Sequence, residues 1–242
     1  MNFYNTLDVL KSCSKDELQP LVDLIENTST NNLSIYESYN KNKNNPKLFV
    51  DAILSEIREF GGNTFANLYR GEGVPYLEVV QDVAKNLKVE KRSSDLIELE
   101  RQLLAKILES VFEKLSDKDR QEMFSELDNK DFAPSMISNL STLKGSAITA
   151  ILTKSPFLMQ QLIKILIKFG AETAAKNVGR FAGGRALSVL AGPIGWVIGG
   201  AWTAFDIASP ATRVTIPCVV HIAAIRLTKM NEENNNKYNK YK

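Results

Sequence analysis

Histidine, cysteine and tryptophan are scarce in this chain of 242 residues, which contains one, two and two of them. The one histidine, His221, has no second imidazole to form a metal site or a catalytic pair with, and it lies inside the apolar stretch VVHIAA. Cys218 is one helical turn away, but zinc needs three or four protein ligands. We therefore interpret His221 as a neutral core residue, and we predict neither enzymatic activity nor a bound metal or cofactor.

The two cysteines, Cys13 and Cys218, lie far apart in the chain and in unlike surroundings. This spacing argues against a disulfide framework and for a reducing compartment. The first residues, MNFYNTLDVLKSCSKDE, also lack the cationic segment and the uninterrupted apolar core of a secretory signal. We expect a cytoplasmic protein, with association with the inner membrane as a further expectation.

Complete phosphate-binding motifs are absent as well. The fragment Gly71-Glu72-Gly73 lacks the third glycine of a dinucleotide loop, and GRFAGGR, from Gly179 to Arg185, lacks the GK[ST] ending of a P-loop. No small-molecule substrate is therefore evident. We interpret the early glycines as a structural turn that lets helices meet at a sharp angle, in which Arg58 and Arg70 hydrogen-bond to carbonyl groups at helix ends. The residues assigned to this turn are Gly61, Gly62, Arg70, Gly71 and Gly73.

No stretch alternates apolar and polar residues with the period of a β-strand, so the predicted fold is all-α. The clearest amphipathic helix covers 95–115, where leucine, isoleucine, valine and phenylalanine recur at helical spacing. Ser14 and Glu17 fit a capping box at a helix start within 6–26. Further helices are predicted over 47–60, from Pro75 to Leu87, up to about Leu127, over 135–153 and from Pro156 onward. Glu56 and Glu59 share a helix face and are interpreted as solvated surface.

The net charge of +2 conceals an asymmetry. Residues 1–142 contain 17 basic and 24 acidic residues, a balance of −7, whereas residues 143–242 contain 13 and 4, a balance of +9. Either the two halves attract each other or the second half meets an anionic partner. Composition divides the chain into a short helical module (1–26), an Asn-rich linker (27–46), an acidic helical domain (47–133), a basic, apolar, glycine-rich helical region (134–230) and a disordered tail (231–242).

Two charge-free runs distinguish the basic half, one from Ala186 to Phe205 and a shorter one from Val214 to Ile225. The first has the length of about 20 residues that a membrane span needs. We predict a multi-helix bundle in which these runs form an apolar C-terminal helical hairpin, either buried in a soluble shell, inserted into lipid conditionally, or permanently in a membrane. The residues predicted for membrane contact or close helix packing are Ala191, Gly192, Gly195, Trp196, Gly199 and Trp202.

Three segments carry a resemblance to a known family. The stretch EIREFGGNTFANLYRGEGVPYLEVVQDVAKNLKV, together with GPIGWVIGG and RVTIPCVVHIAAIRL, resembles the YaaW-like family of uncharacterised bacterial proteins. LDVLKSCSKDELQPLVDLI looks like the short N-terminal module of that family, whose members are often labelled as having a ubiquinol–cytochrome c chaperone-like domain. The resemblance implies a helical bacterial protein and supplies no catalytic residue.

Two functional hypotheses follow. The first is a membrane-active or membrane-associated protein, with pore-forming or toxin-like activity through the apolar hairpin and anionic lipid as its partner. The alternative is a soluble helical scaffold or chaperone-like module that binds a protein partner and has 186–225 as its core. Nucleic acid receives little support, because the cations are spread through apolar helices and only the tail interleaves lysine with tyrosine.

Overall fold

The computed structural model describes residues 1–28, 31–61, 73–90, 92–114, 117–128, 130–143, 146–163 and 212–240. Within these ranges all regular structure is helical and there is no strand, which confirms the all-α prediction for them. None of the helices in these ranges combines the length and the apolarity of a membrane span. The chain divides into two compact units, Met1–Glu100 with Ile207–Met230, and Arg101–Asp206 with Asn231–Lys242.

Short helices joined by tight turns build the first unit. Five α-helices among its described residues lie wholly in this unit: α1 (Thr6–Lys11), α2 (Lys15–Glu26), α3 (Glu37–Asn42), α4 (Val50–Phe60) and α5 (Tyr76–Asn86). The unit also contains the start of α6 (Leu96–Lys114) and most of α10 (Thr212–Lys240), which both continue into the second unit. Two 3-10 turns, Leu33–Ile35 and Pro46–Leu48, connect α2 to α4 on either side of α3.

The predicted capping box begins α2. The Ser14 side chain accepts a hydrogen bond from the backbone N–H of Glu17 at 3.2 Å, and the Glu17 carboxylate accepts one from the backbone N–H of Ser14 at 2.7 Å. Two donors that the first helical turn leaves unpaired are thereby satisfied. This exchange fixes the start of α2 and the direction of the Glu17 side chain.

The segment over 27–46, which composition predicted as a linker, contains core residues. Leu33 is fully buried, and the ring of Tyr39 packs edge-on against Phe49 with centroids 5.3 Å apart. The Tyr39 hydroxyl donates a hydrogen bond to Glu26 at 2.7 Å. Leu33 and Tyr39 thus pack into the core from an otherwise polar segment.

Apolar side chains from six helices form the core of the first unit. Burial of this kind of surface is the main favourable term in folding. The fully buried members include Val9 and Leu10 (α1), Leu18, Leu21 and Ile25 (α2), Ile53 and Ile57 (α4), Val79 and Val80 (α5), Leu99 (α6), and Cys218, Val219 and Ile222 (α10).

The second charge-free run, Val214 to Ile225, forms part of one continuous helix, α10. Eleven of its twelve side chains are buried and the other, Ala224, is partly exposed, so the described part of the predicted hairpin is a core helix. Ala186–Phe205, the other predicted arm, lies outside the described residues. Residues 231–240, which belong to the predicted disordered tail, continue α10 as far as Lys240, and the side chains of 234–237 are exposed.

The second unit contains the rest of α6 together with α7 (Asp117–Ser125), α8 (Pro134–Thr142), α9 (Ser146–Lys154) and a helical stretch over 156–163. The prediction of one helix over 135–153 was wrong. The backbone of Leu143 is extended, with φ −70° and ψ 144°, and ends α8. Gly145 follows in the sequence and disfavours helix continuation by about 1 kcal/mol relative to alanine.

Polar contacts also hold the described helices of the second unit together. Thr149 of α9 donates a hydrogen bond to the buried carboxylate of Glu109 of α6 at 2.5 Å. Asn231 of α10 donates to the side chain of Gln160 at 2.9 Å and to the carbonyl of Pro156 at 3.2 Å. Gln160, which lies in the helix predicted from Pro156 onward, is therefore a buried hydrogen-bonding residue.

Candidate functional site

Most of the residues predicted as a site lie outside the described part of the chain. This applies to the whole predicted lipid-contact or packing set, Ala191, Gly192, Gly195, Trp196, Gly199 and Trp202, and to Gly62, Arg70 and Gly71 of the predicted turn. The two described members of the predicted turn are Gly61 and Gly73. At each of these two positions a different neighbouring group leaves no room for a side chain.

Gly61 ends α4 and lies directly against α5. Its φ of −76° is open to any residue, so backbone conformation does not require glycine there. A Cβ atom at Gly61 would lie 2.4 Å from Cγ2 of Val79, and one at Gly73 would lie 2.6 Å from the carbonyl carbon of Arg58. Close packing of α4 with α5 and with the segment before it is therefore what excludes a side chain at both positions.

Arg58 holds the same corner by hydrogen bonds. Its Nε donates to the carbonyl oxygen of Val74 at 2.8 Å and its Nη2 donates to that of Gly73 at 3.0 Å. These carbonyls belong to the segment that enters α5 rather than to the end of a helix. The guanidinium thus joins the last turn of α4 to the start of α5.

An almost fully buried polar contact in the first unit joins α10 to α6. Arg226 Nε lies 2.6 Å from Glu100 Oε2, and Arg226 Nη2 lies 3.2 Å from Glu100 Oε1. The two side chains are 1% and 3% exposed. Two parallel N–H···O bonds between a guanidinium and a carboxylate are the strong, directional form of this ion pair.

The remaining donors of Arg226 reach the N-terminal segment. Nη2 also donates to the Thr6 hydroxyl at 2.9 Å, and Nη1 donates to the carbonyl of Phe3. Tyr76 of α5 donates its hydroxyl hydrogen to Glu100 Oε1 at 3.1 Å. We call Thr6, Tyr76, Glu100 and Arg226 the Arg226 cluster; it links α1, α5, α6 and α10 through one buried guanidinium.

Burial and charge act against each other in this cluster. Burial raises the pKa of Glu100, against the opposite effect of the Arg226 guanidinium. Burial also acts to lower the pKa of Arg226, but the Glu100 carboxylate outweighs it and the pKa is raised. The pKa of Tyr76 lies well above its usual value because the ring is buried beside Glu100. Tyr76 therefore stays a neutral hydrogen-bond donor.

His221 contacts α2 from the same helix. Its Nε2 lies 2.6 Å from the carbonyl oxygen of Glu17, and because a carbonyl only accepts, Nε2 carries the hydrogen. Burial lowers the pKa of His221, against the opposing field of Glu17. The histidine is therefore held in its neutral form in the core, as the sequence predicted.

Lys229 completes this row of contacts two turns further along α10. Its Nζ lies 3.3 Å from the Glu17 carboxylate and donates to the carbonyl of Ser12 at 3.4 Å. Burial acts to raise the pKa of Glu17, but its bonds to Ser14 and the charge of Lys229 outweigh this effect and the pKa is lowered. Residues 221–229 of α10 thus donate at three successive points to the first seventeen residues of the chain.

Chemistry that needs a reactive thiol or a metal finds no support among the described residues. Burial raises the pKa of Cys13 to about 11 and that of Cys218 still further, so neither forms a thiolate readily. No group of three or more metal-ligating side chains occurs in the described ranges.

Sequence reasoning missed the Arg226 cluster, although one signal was present. Glu100 follows Leu96 by four residues and precedes Leu103 by three, which places it on the apolar face of α6. A buried carboxylate needs a cation or several donors. Glu56 is a second carboxylate of this kind, because it lies next to the buried Ile53 and Ile57 of α4 and is itself only 1% exposed. The prediction that Glu56 is solvated surface was therefore wrong.

A cleft of about 640 Å³ opens in the first unit between the starts of α1, α5 and α6. Its polar groups already have protein partners. Arg58 binds two carbonyls, and Asp95 accepts a hydrogen bond from the backbone N–H of Glu98 at 2.9 Å as the cap of α6. These two charged side chains of the cleft, which lies beside the Arg226 cluster, thus already serve the fold.

Comparison with known proteins places this architecture in a family. The chain is 34% identical to a UPF0174 protein of Helicobacter pylori strain J99 over 91% of this chain and 90% of that protein. It is 36% identical to a UPF0174 protein of H. pylori strain 26695 over 72% of this chain and 86% of the relative. It is 26% identical to the UPF0174 protein YaaW of Escherichia coli K12 over 93% and 96% of the two chains.

No family model and no solved structure matches the chain. Two of these relatives nonetheless align with 91% and 93% of it. The resemblance to the YaaW-like family is confirmed, and the chain belongs to the UPF0174 family.

Proposed function

We propose that this protein associates with membranes through Ala186–Phe205, while the helices of its first unit stay folded. The observation that carries the proposal is the run itself, 20 residues without a charged side chain. That length matches the hydrocarbon thickness of a bilayer. Trp196 and Trp202 suit the interface between lipid and water, where tryptophan is enriched.

The packing of α10 supports assigning lipid contact to this run alone. Val214–Ile225 is the other charge-free run, and its side chains are buried against the helices of the first unit. A segment that already serves as core is not available to lipid while the unit is folded. The proposal therefore involves one apolar segment rather than a hairpin.

The distribution of charge supports an anionic lipid as partner. The cations Lys176, Arg180 and Arg185 precede the run in sequence, and basic residues next to an apolar segment are attracted to anionic headgroups by about 1 kcal/mol each. Two other cations of the basic half, Arg226 and Lys229, are paired with Glu100 and Glu17. These two ion pairs thus neutralise only part of the positive charge of residues 143–242.

The alternative is a helical scaffold that binds a protein partner. One observation favours it: Val214–Ile225, the shorter charge-free run, forms an ordinary core helix. Ala186–Phe205 would then be core as well. Its four glycines and Pro193 weaken a helix in any solvent, which counts against a membrane-spanning helix there. The two functions differ in where Trp196 and Trp202 lie.

Tryptophan fluorescence separates the two, because the chain has no other tryptophans than these two. We expect full-length protein to float with vesicles containing anionic lipid and its fluorescence to be quenched by brominated lipid. The double variant Ile194→Asp/Val197→Asp should lose both signals. Ile35→Asp, a matched change at a side chain that is 71% exposed in the first unit, should retain them.

Leakage of vesicle contents tests the narrower, pore-forming reading of the proposal. Release from anionic but not from neutral vesicles would support it. A monodisperse protein that remains in the soluble fraction, with no flotation and no quenching at any lipid composition, would overturn the membrane proposal and favour the scaffold.

A further inference from the structure

The contacts of α10 with α2 point to a device that responds to acid. We propose that protonation of His221 weakens the docking of α10 on α2, so that the C-terminal helix opens from the first unit more often as the pH falls below neutral. The opening itself takes place without lipid. The device does not depend on the proposed membrane contact of Ala186–Phe205.

The single hydrogen bond of His221 to α2 is the first step of the argument. Nε2 donates to the Glu17 carbonyl at 2.6 Å, and the side chain is buried, with 8% of its surface exposed. A second proton would place a full charge on this buried ring. Opening of α10 gives that charge access to water, so acid favours the open state.

Few charged groups among the described residues act at this contact. Glu17 of α2 acts directly on the imidazole, and Lys229 of α10 binds the Glu17 carboxylate. Lys229 and Lys47 act on the neighbouring thiol of Cys13. Glu17 favours a protonated His221 through the hydrogen bond of its carbonyl and through its carboxylate, but burial outweighs both and the pKa of His221 is lowered.

The direction of the pH effect follows from this shift. A native-state pKa below the ordinary value of 6.5 means that the open state binds the proton more readily. The opening equilibrium therefore shifts by up to about tenfold for each pH unit between 6.5 and the native value. Glu17, whose pKa is also lowered, adds a second loss below its ordinary value of 4.5 as the bridge to Lys229 breaks.

The Arg226 cluster does not share this sensitivity. Burial raises the pKa of Glu100, so protonation of that carboxyl is easier in the native state and acid does not favour opening through it. The acid-sensitive contacts are thus those with α2, at His221 and Lys229.

The sequence of α10 makes a local release feasible. Pro217 lies inside the helix one turn before His221, and an interior proline disfavours a helix by about 3 kcal/mol. Val214, Thr215, Ile216, Val219 and Val220 are β-branched and add little helix propensity of their own. Packing on α2 and its neighbours therefore keeps this segment helical, and loss of that packing should unfold it.

Hydrogen exchange measured on the full chain without lipid tests the device. After correction for the intrinsic rate, we expect exchange in peptides over 212–230 to rise at least tenfold between about pH 7.5 and about pH 5, while α4 stays protected. His221→Gln retains an N–H donor for the Glu17 carbonyl and gains no proton, so its exchange should not respond over this range. Lys229→Gln should exchange faster at both pH values and keep the step.

A direct titration of the imidazole makes the test independent of any variant. The chain has one histidine, so one pair of ring signals in an NMR spectrum reports its pKa. We expect the midpoint of that titration to coincide with the loss of protection in 212–230. A normal titration near 6.5 with α10 still protected, a wild type equally protected at both pH values, or a His221→Gln chain that opens like the wild type would each overturn the proposal. If the pH step occurs and vesicles do not bind, the device stands and the membrane function fails.

Discussion

Arg226 of α10 and Glu100 of α6, 126 residues apart in the chain, form a two-pronged ion pair with N–O distances of 2.6 and 3.2 Å and almost no exposure to solvent. A contact of this kind connects the C-terminal helix to the first hundred residues at one defined point. Its energetics depend on both partners being present, because either charge alone would be buried without compensation.

Removal of one partner should therefore be severe. We expect Arg226→Met to lower the free energy of unfolding by about 3–5 kcal/mol, since it leaves the Glu100 carboxylate buried without its cation. Arg226→Met/Glu100→Leu should recover most of the loss. Urea unfolding followed by circular dichroism measures both. Lys229→Met, which breaks a partly exposed ion pair, serves as the control and should cost about 1 kcal/mol or less. Equal losses for the two single variants would contradict the role given to the Arg226 cluster.

The steric reasons for the two glycines predict different responses to alanine. Gly61→Ala should cost about 1–3 kcal/mol through contact with the side chain of Val79. Val79→Ala should relieve part of that cost in the double variant, because the obstructing methyl group is removed. Gly73→Ala meets the backbone of Arg58, so Val79→Ala should give it no relief. A double-mutant cycle by thermal unfolding measures the coupling, and equal coupling of both glycines to Val79 would contradict this geometry.

Replacement of the buried Glu56 by glutamine should stabilise the protein to a degree that depends on pH. Its Oε2 accepts a hydrogen bond from the backbone N–H of Asn32 at 2.9 Å, while Oε1 has no hydrogen-bond partner among the described residues. Burial raises the pKa of Glu56, so the charged form opposes folding at neutral pH and protonation relieves it. Glu56→Gln should therefore stabilise the protein by about 1 kcal/mol at about pH 8.

The sign of that effect gives a second readout. The advantage of Glu56→Gln over the wild type should shrink as the pH falls toward the ordinary carboxyl pKa of 4.5, because the wild-type side chain then becomes neutral as well. Melting temperatures across this range are the measurement, with Glu90→Gln at an exposed position as the matched control. A destabilised Glu56→Gln protein at neutral pH would show that the carboxylate has a favourable partner.

The two thiols should be inert in the folded protein. Cys13 and Cys218 are both free and fully buried, and the pKa of Cys13 is raised to about 11. At about pH 8, labelling by a maleimide should proceed only as fast as the protein unfolds, and denaturant should expose both thiols at once. The single variants Cys13→Ser and Cys218→Ser assign the signals. Fast labelling of Cys218 in native buffer would mean that α10 is not docked.

Local patterns predicted the helices of this protein well. Ser14 and Glu17 lie three residues apart at a helix start, and the apolar spacing over 95–115 matches α6 because both signals act within one or two turns. The break at Leu143 was missed, since a run of moderately apolar residues is compatible with one helix or with two. The burial of Gln160 was missed because its partner, Asn231, is 71 residues away.

Sequence alone thus determined that the chain is helical, that its halves differ in charge, and that His221 is a neutral core residue. Each of these follows from residue type and short-range spacing. Only the tertiary structure decided that Glu100, Glu17 and the carbonyl of Phe3 meet donors from α10, because those contacts join positions more than a hundred residues apart. A charged residue at an apolar position of a helix predicts that it has a partner, but which residue that partner is depends on how the helices pack.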